Sequence, residues 1–182
     1  MTFPIYLIGA RGCGKTTVGQ YLAQQLGYHF QDTDRYVQAL AGDSIAGIVK
    51  QQGWQHFRQL EQQALQAVSH RYTVVATGGG IVLDEQSCRF MRESGQVIWL
   101  QVPLSQLVQR LHQSPETEQR PTLTGANVMD EMQNVLQARL PLYQHTSHHH
   151  IDATGHPQQI ANQIVQLCQL SNLAERSVSH PS

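Results

Sequence analysis

The 182-residue chain is 40% hydrophobic and 14% charged, with 12 Lys and Arg against 13 Asp and Glu for a formal net charge of -1. That balance fits one globular domain and lacks the basic excess that nucleic-acid backbones require, so nucleic acid is not an expected partner and any phosphate site must be local. Three scattered cysteines (Cys13, Cys88, Cys168), no apolar run long enough to span a bilayer, and a start at Met1-Thr2-Phe3-Pro4 without the basic segment of a secretory signal lead to the expectation of a cytoplasmic protein with no membrane partner.

Ile5-Tyr6-Leu7-Ile8, bounded by Pro4 and Gly9, reads as a buried central strand. A glycine-rich turn follows. From Lys15 onward Val18, Tyr21, Leu22 and Leu26 recur at helical spacing until Gly27 supplies a stop. His29-Phe30-Gln31 is a second short strand that ends at Asp32-Thr33-Asp34. Between Arg35 and His70 the pattern is helical, with Ser44 as an N-cap and a longer amphipathic stretch from about Trp54 through Phe57, Leu60, Leu65 and Val68. Thr73 to Ala76 is a strand, Thr77-Gly78-Gly79-Gly80 a turn, and a helix starts near Asp84. Val97 to Leu100 forms the next strand, and Leu104, Leu107, Val108 and Leu111 mark the helix after it.

Residues from about 113 to 128 mix proline, threonine, glycine and charge without apolar periodicity, which predicts a long loop of the kind that often serves as a mobile lid. A helix from about Asp130 to Tyr143, a short strand from His149 to Asp152 and a last helix from Pro157 to Leu170 complete the pattern. Strands alternating with helices predict an α/β fold, a parallel sheet covered on both faces, in a single domain over about residues 1–170. The polar segment 171–182 reads as a frayed, disordered tail.

Gly9-Ala10-Arg11-Gly12-Cys13-Gly14-Lys15-Thr16 matches the phosphate-loop pattern in full and lies between a predicted strand and a predicted helix, the placement the mechanism needs. Glycines allow a tight turn whose N–H groups face phosphate oxygens, and the following helix adds the positive end of its dipole. Lys15 is expected to reach the β- and γ-phosphates of a nucleotide, and Thr16 to place its hydroxyl on Mg²⁺. Lys50 is the only other lysine, so Lys15 is not drawn from a lysine-rich surface.

Asp32 and Asp34 stand two apart at a strand end, which points both carboxylates to one side if the extended conformation persists. Beside a triphosphate one could serve the metal and the other an attacking hydroxyl; the plainer alternative makes Asp32 a helix cap. Arg58 and Glu61, spaced i, i+3, read in isolation as a surface ion pair worth a few tenths of a kcal/mol, ~0.3. Gly78-Gly79-Gly80 is either a sharp turn or a close backbone approach to a small ligand.

Taken together, the phosphate loop, Asp32-Thr33-Asp34, Phe57-Arg58 with Glu61, Thr77-Gly78-Gly79-Gly80, Arg120-Pro121, and Arg139 with Pro141-Leu142-Tyr143 resemble the shikimate kinases in order and spacing, closest to the type 2 form. The resemblance implies a three-layer P-loop fold with a five-stranded parallel sheet, a helical substrate-binding insertion at about 33–61 and a mobile lid at about 113–128. It implies transfer of the γ-phosphoryl group of ATP to the 3-hydroxyl of shikimate on the pathway to chorismate and aromatic amino acids, with Mg²⁺ as cofactor; a monomer is a separate expectation, carried by no particular motif. Asp34, Arg58, Gly79, Gly80 and Arg139 would hold shikimate, the two guanidinium groups gripping its carboxylate. Lys15, Asp34 and Arg120 would be catalytic, Thr16 and Asp32 would serve the metal, and Glu61 would steady Arg58. The nucleotide would meet the loop from Gly9 to Thr17, including Arg11 and Thr17, together with Arg110, Arg120 and Pro157.

Other signals are weaker. His145, His148, His149, His150 and His156 suggest a metal site only superficially, because a strand sends adjacent histidines to opposite faces, and an exposed edge segment is the expectation. Cys13 at a helix N-terminus fits a small residue in a turn better than a reactive thiol. The rivals are another small-metabolite kinase on the same scaffold, such as a gluconate kinase, and a nucleotide-dependent switch; against a guanine switch, no Asn is followed by Lys.

Overall fold

The computed structural model describes residues 3–113 and 128–178. Five strands, β1 (Ile5–Ile8), β2 (His29–Asp32), β3 (Thr73–Ala76), β4 (Gln96–Gln101) and β5 (His149–Asp152), form one sheet in the order β2-β3-β1-β4-β5, and every pairing is parallel. Helices α1 (Lys15–Leu26), α2 (Thr33–Ala41), α3 (Ile45–Val68), α4 (Glu85–Ser94), α5 (Leu104–Gln113), α6 (Val128–Thr146) and α7 (Pro157–Val178) supply the crossovers and cover the faces. The α/β fold with a five-stranded parallel sheet is therefore as expected.

Parallel strands must be covered on both faces, and β1 and β3 are accordingly apolar and buried at each position except Thr73, whose side chain is also buried. Alternate side chains feed two cores: Ile5, Leu7, Val74, Ile98 and Leu100 meet α1 and α7, while Tyr6, Ile8, Val75, Val97 and Trp99 meet residues of α3, α4 and α6. A third, smaller cluster of Val37, Ile45, Ile48, Phe57 and Ala64 lies within α2 and α3, so the helical excursion has apolar packing of its own.

Local signals set most ends. Gly27 closes α1 in the left-handed conformation, and the Ser44 side chain accepts from Gly47 N at 3.0 Å as the N-cap of α3. Gly53, at φ 85° and ψ 168°, breaks α3 just before Trp54, which is why the amphipathic pattern began there. A 3-10 turn, Ile81–Leu83, precedes α4 and was not expected.

The tail is a correction. Where disorder was predicted from residue 171, α7 continues to Val178. No glycine or proline lies between Pro157 and Pro181, and Gln, Leu, Ala, Glu and Arg are compatible with helix, so a helix once started has nothing to stop it. Residues 179–182 lie outside the described residues, as does nearly all of the predicted lid at 113–128.

At the sheet edge, His148 Nδ1 accepts the Val97 N–H at 3.0 Å, so one histidine of the cluster completes the ladder in place of a backbone carbonyl. Partial burial, aided by the charges of Arg92 and His149, lowers its pKa and favours the neutral ring this bond requires. No helix among the described residues is long and apolar enough to cross a membrane.

Candidate active site

In a parallel α/β sheet the strand ends at the carboxyl edge release their loops together, and ligands collect there. Here β1 releases Gly9 to Gly14, β2 releases Asp32 into α2, and β3 releases Thr77 to Gly80. Thr77 fastens two of these segments, its N and Oγ1 both donating to Leu7 O at 3.2 and 2.8 Å.

The phosphate loop has the predicted form. Gly9 sits at φ 146°, and a Cβ there would lie 2.8 Å from Leu100 O and 2.9 Å from Cys13 Sγ, so both its conformation and its surroundings demand glycine. Lys15 opens α1 and is only 9% exposed; its Nζ donates to Gly9 O at 2.6 Å and Ala10 O at 3.0 Å. Cys13 is buried behind the loop with its Sγ 3.7 Å from the same Nζ.

Asp32 and Asp34 both border the larger of two neighbouring cavities, but they are held differently. The extended conformation ends at Asp32, because α2 begins at Thr33, so one carboxylate caps the helix and the other stands in its first turn. Asp32 caps α2 by accepting from Arg35 N at 3.2 Å, and it accepts from Thr16 Oγ1 at 3.0 Å, so capping and a place beside the phosphate loop coexist. Asp34, one helical step further, turns toward the glycine turn: a Cβ on Gly78 would lie 2.8 Å from Asp34 Oδ1 and 2.7 Å from Glu61 Oε2.

Arg58 and Glu61 are not a surface pair. Their side chains are 23% and 4% exposed, with Nη1 to Oε1 at 3.0 Å. The Arg58 guanidinium lies over Trp54 and Phe57 at 5.4 and 5.3 Å from the ring centroids, which holds its plane as well as its charge. Burial pushes the Glu61 pKa up, against the opposing pull of Arg58 and Arg139, and Glu61 Oε2 has no hydrogen-bond partner among the described residues. A Cβ on Gly80 would collide with the Arg58 guanidinium, so this glycine is the floor on which Arg58 rests.

Two cavities open side by side. The larger, about 500 Å³, is lined by Arg11 to Thr17, Asp32, Asp34, Arg110 and Pro157; the smaller, about 160 Å³, by Ala10, Arg11, Asp34, Trp54, Arg58, Glu61, Gly78 to Gly80, Arg139 and Tyr143 among others. Arg11, Asp34, Gly79 and Leu111 border both. Burial lowers the Arg11 pKa while Glu131 on α6 opposes that shift. Arg110 bridges Gly12 O at 3.2 Å and Ala153 O at 3.3 Å, so it ties the phosphate loop to the segment leading into Pro157. Ala10 faces the smaller cavity rather than the larger one, and Arg120 lies outside the described residues.

Thr33, Glu131 and the hydroxyl of Tyr143 had no assigned role in the sequence reading. Thr33 is fully buried and its Oγ1 accepts from Gly78 N at 3.2 Å; Tyr143 Oη donates to Gly79 O at 2.5 Å. Tyr143 stood in the Arg139 motif, but a contact across 64 residues has no sequence signal.

The shikimate kinase family model matches residues 11–169. Among curated relatives, "Shikimate kinase 2" of Serratia proteamaculans (strain 568) is 50% identical over 173 residues, covering 95% of this chain and 99% of its own. "Shikimate kinase 2" of Salmonella schwarzengrund (strain CVM19633) is 51% identical over 165 residues, 91% of each chain. Among solved structures, the shikimate kinase from Acinetobacter baumannii in complex with shikimate superposes with a TM-score of 0.87 at 33% identity, covering 94% of this chain and 95% of that one. Since family model, curated relatives and solved fold agree over nearly the whole length, the chain belongs to the shikimate kinase family.

Proposed function

We propose that Asp34, Arg58, Gly79, Gly80 and Arg139 hold shikimate in the smaller cavity while Arg11 to Thr17 hold ATP in the larger, for the reaction in which a shikimate kinase moves the γ-phosphoryl group of ATP onto the 3-hydroxyl of shikimate. The observation that carries this reading is the position of Asp34, which borders both cavities and thus stands where an acceptor hydroxyl would meet a terminal phosphate. The Acinetobacter baumannii relative, solved in complex with shikimate, supports the choice of acid.

Phosphoryl transfer asks a protein mainly to position its reactants and to neutralise developing charge. Arg58 and Arg139 provide two planar forks for a carboxylate, and Arg58 is already fixed by Glu61 and two aromatic rings. Asp34 orients the acceptor hydroxyl and takes its proton as the bond to phosphorus forms. Lys15 exchanges its loop carbonyls for phosphate oxygens, and Arg11 adds charge at the border of the cavities. Thr16 and Asp32 are hard oxygen donors suited to magnesium: with its proton committed to Asp32 Oδ2, Thr16 Oγ1 keeps lone pairs for a cation. When bound there, magnesium supplies positive charge to the phosphates. We further propose a monomer acting in the cytoplasm.

Calorimetric titration with shikimate tests the clamp. Arg58→Ala and Arg139→Ala are each expected to weaken acid affinity by about 10- to 100-fold, the worth of a charge-assisted hydrogen bond, with nucleotide affinity little changed. Unchanged shikimate affinity in both variants would remove the clamp.

A further inference from the structure

The glycine turn after β3 carries two of the acid's proposed contacts, yet Gly78, Gly79 and Gly80 have no side chains to hold their peptide planes. Its fixity has to come from outside. On one side Thr33 Oγ1 accepts the Gly78 N–H. On the other Tyr143 Oη donates to Gly79 O, and the Arg139 guanidinium one turn earlier on α6 lies against the same glycine, its Nη1 3.6 Å from where a Cβ on Gly79 would stand. The phenol has a single O–H, and it is donated to the Gly79 carbonyl. The ring is stacked on Trp99 of β4, centroids 5.7 Å apart and 27° between planes, and is 1% exposed.

A trans peptide points its C=O and the next N–H in opposite directions. Holding Gly79 O against Tyr143 therefore turns the Gly80 N–H away from it, and the Gly80 backbone is the surface on which the Arg58 guanidinium rests. We propose that Tyr143 is a positioning residue for the acid substrate: its hydroxyl selects one orientation of the Gly79–Gly80 peptide, so that the glycine wall against which both arginines lie keeps a single geometry. The proposal rests on the reading that Arg58, Gly80 and Arg139 hold shikimate. Burial pushes the phenol up to about 12, so the hydroxyl remains a donor throughout the neutral range.

Tyr143→Phe keeps the ring and its stack on Trp99 and removes only the hydroxyl. It is expected to raise the KM for shikimate by about tenfold, since a buried carbonyl loses its partner and the plane is freed to turn, while the KM for ATP stays within about twofold. A residue that served packing alone would lower the thermal midpoint with both KM values unchanged, and that result would overturn the proposal. Should Tyr143→Phe fail to fold, Thr33→Val removes the tether on the other side of the same turn and must show the same acid-specific rise; an unchanged shikimate KM there overturns it equally. Arg58→Ala and Arg139→Ala separate the two levels. If they lose acid affinity and Tyr143→Phe does not, the positioning role alone fails, whereas normal acid binding in both arginine variants defeats the underlying reading and this proposal with it.

Discussion

Lys15→Met is expected to lower kcat by about 10²- to 10³-fold or more while the protein remains folded, because one charge aimed at the transferring group is removed and a side chain of similar length remains. Lys15 is the first residue of α1, and its buried Nζ is held by Gly9 O and Ala10 O at 2.6 and 3.0 Å. Those carbonyls keep the ammonium beside the larger cavity, in the loop proposed to hold the phosphates. Methionine lacks both the charge and the donors. Steady-state turnover, read beside a thermal melt, decides the matter: near-normal kcat in a folded variant would contradict the role given to Lys15.

Asp34→Asn is expected to reduce kcat by about 10²- to 10⁴-fold, the usual range for loss of a general base, with the KM for ATP changed only a few-fold. The amide preserves size and one acceptor oxygen but neither the negative charge nor the basicity. Asp34 stands at the border of the two cavities and beside the glycine turn, whereas Asp32 is engaged by Thr16 and by the first turn of α2. The two carboxylates should thus fail differently. A variant that loses nucleotide affinity while keeping turnover would move Asp34 to the nucleotide side.

Sheet and phosphate loop were legible because each rests on local rules. Continuous apolar runs such as Ile5 to Ile8 have no exposed face and must be central parallel strands, and the glycines before Lys15 occupy conformations other residues avoid. The different settings of Asp32, a helix cap, and Asp34, in the first turn of α2, were not legible, since Asp-Thr-Asp does not say where strand gives way to helix. Glu61 shows the same limit for burial. Its i, i+3 spacing from Arg58 is that of any surface pair, and it is the glycine turn, brought in by the fold, that lies against Glu61, whose Oε2 is 2.7 Å from where a Cβ on Gly78 would stand. The length of α7 was misjudged because a polar composition was read as disorder where no breaker residue stood. Tyr143 could be quoted from its motif, but its function lies in a hydrogen bond to a turn far away in the chain.

The central claim is that a small acid is held with one hydroxyl facing the terminal phosphate across Asp34. Product analysis by phosphorus NMR after incubation with ATP, magnesium and shikimate tests it most directly. One new phosphomonoester, on the 3-hydroxyl, is the predicted result; phosphate on another hydroxyl, or free phosphate alone, would contradict it.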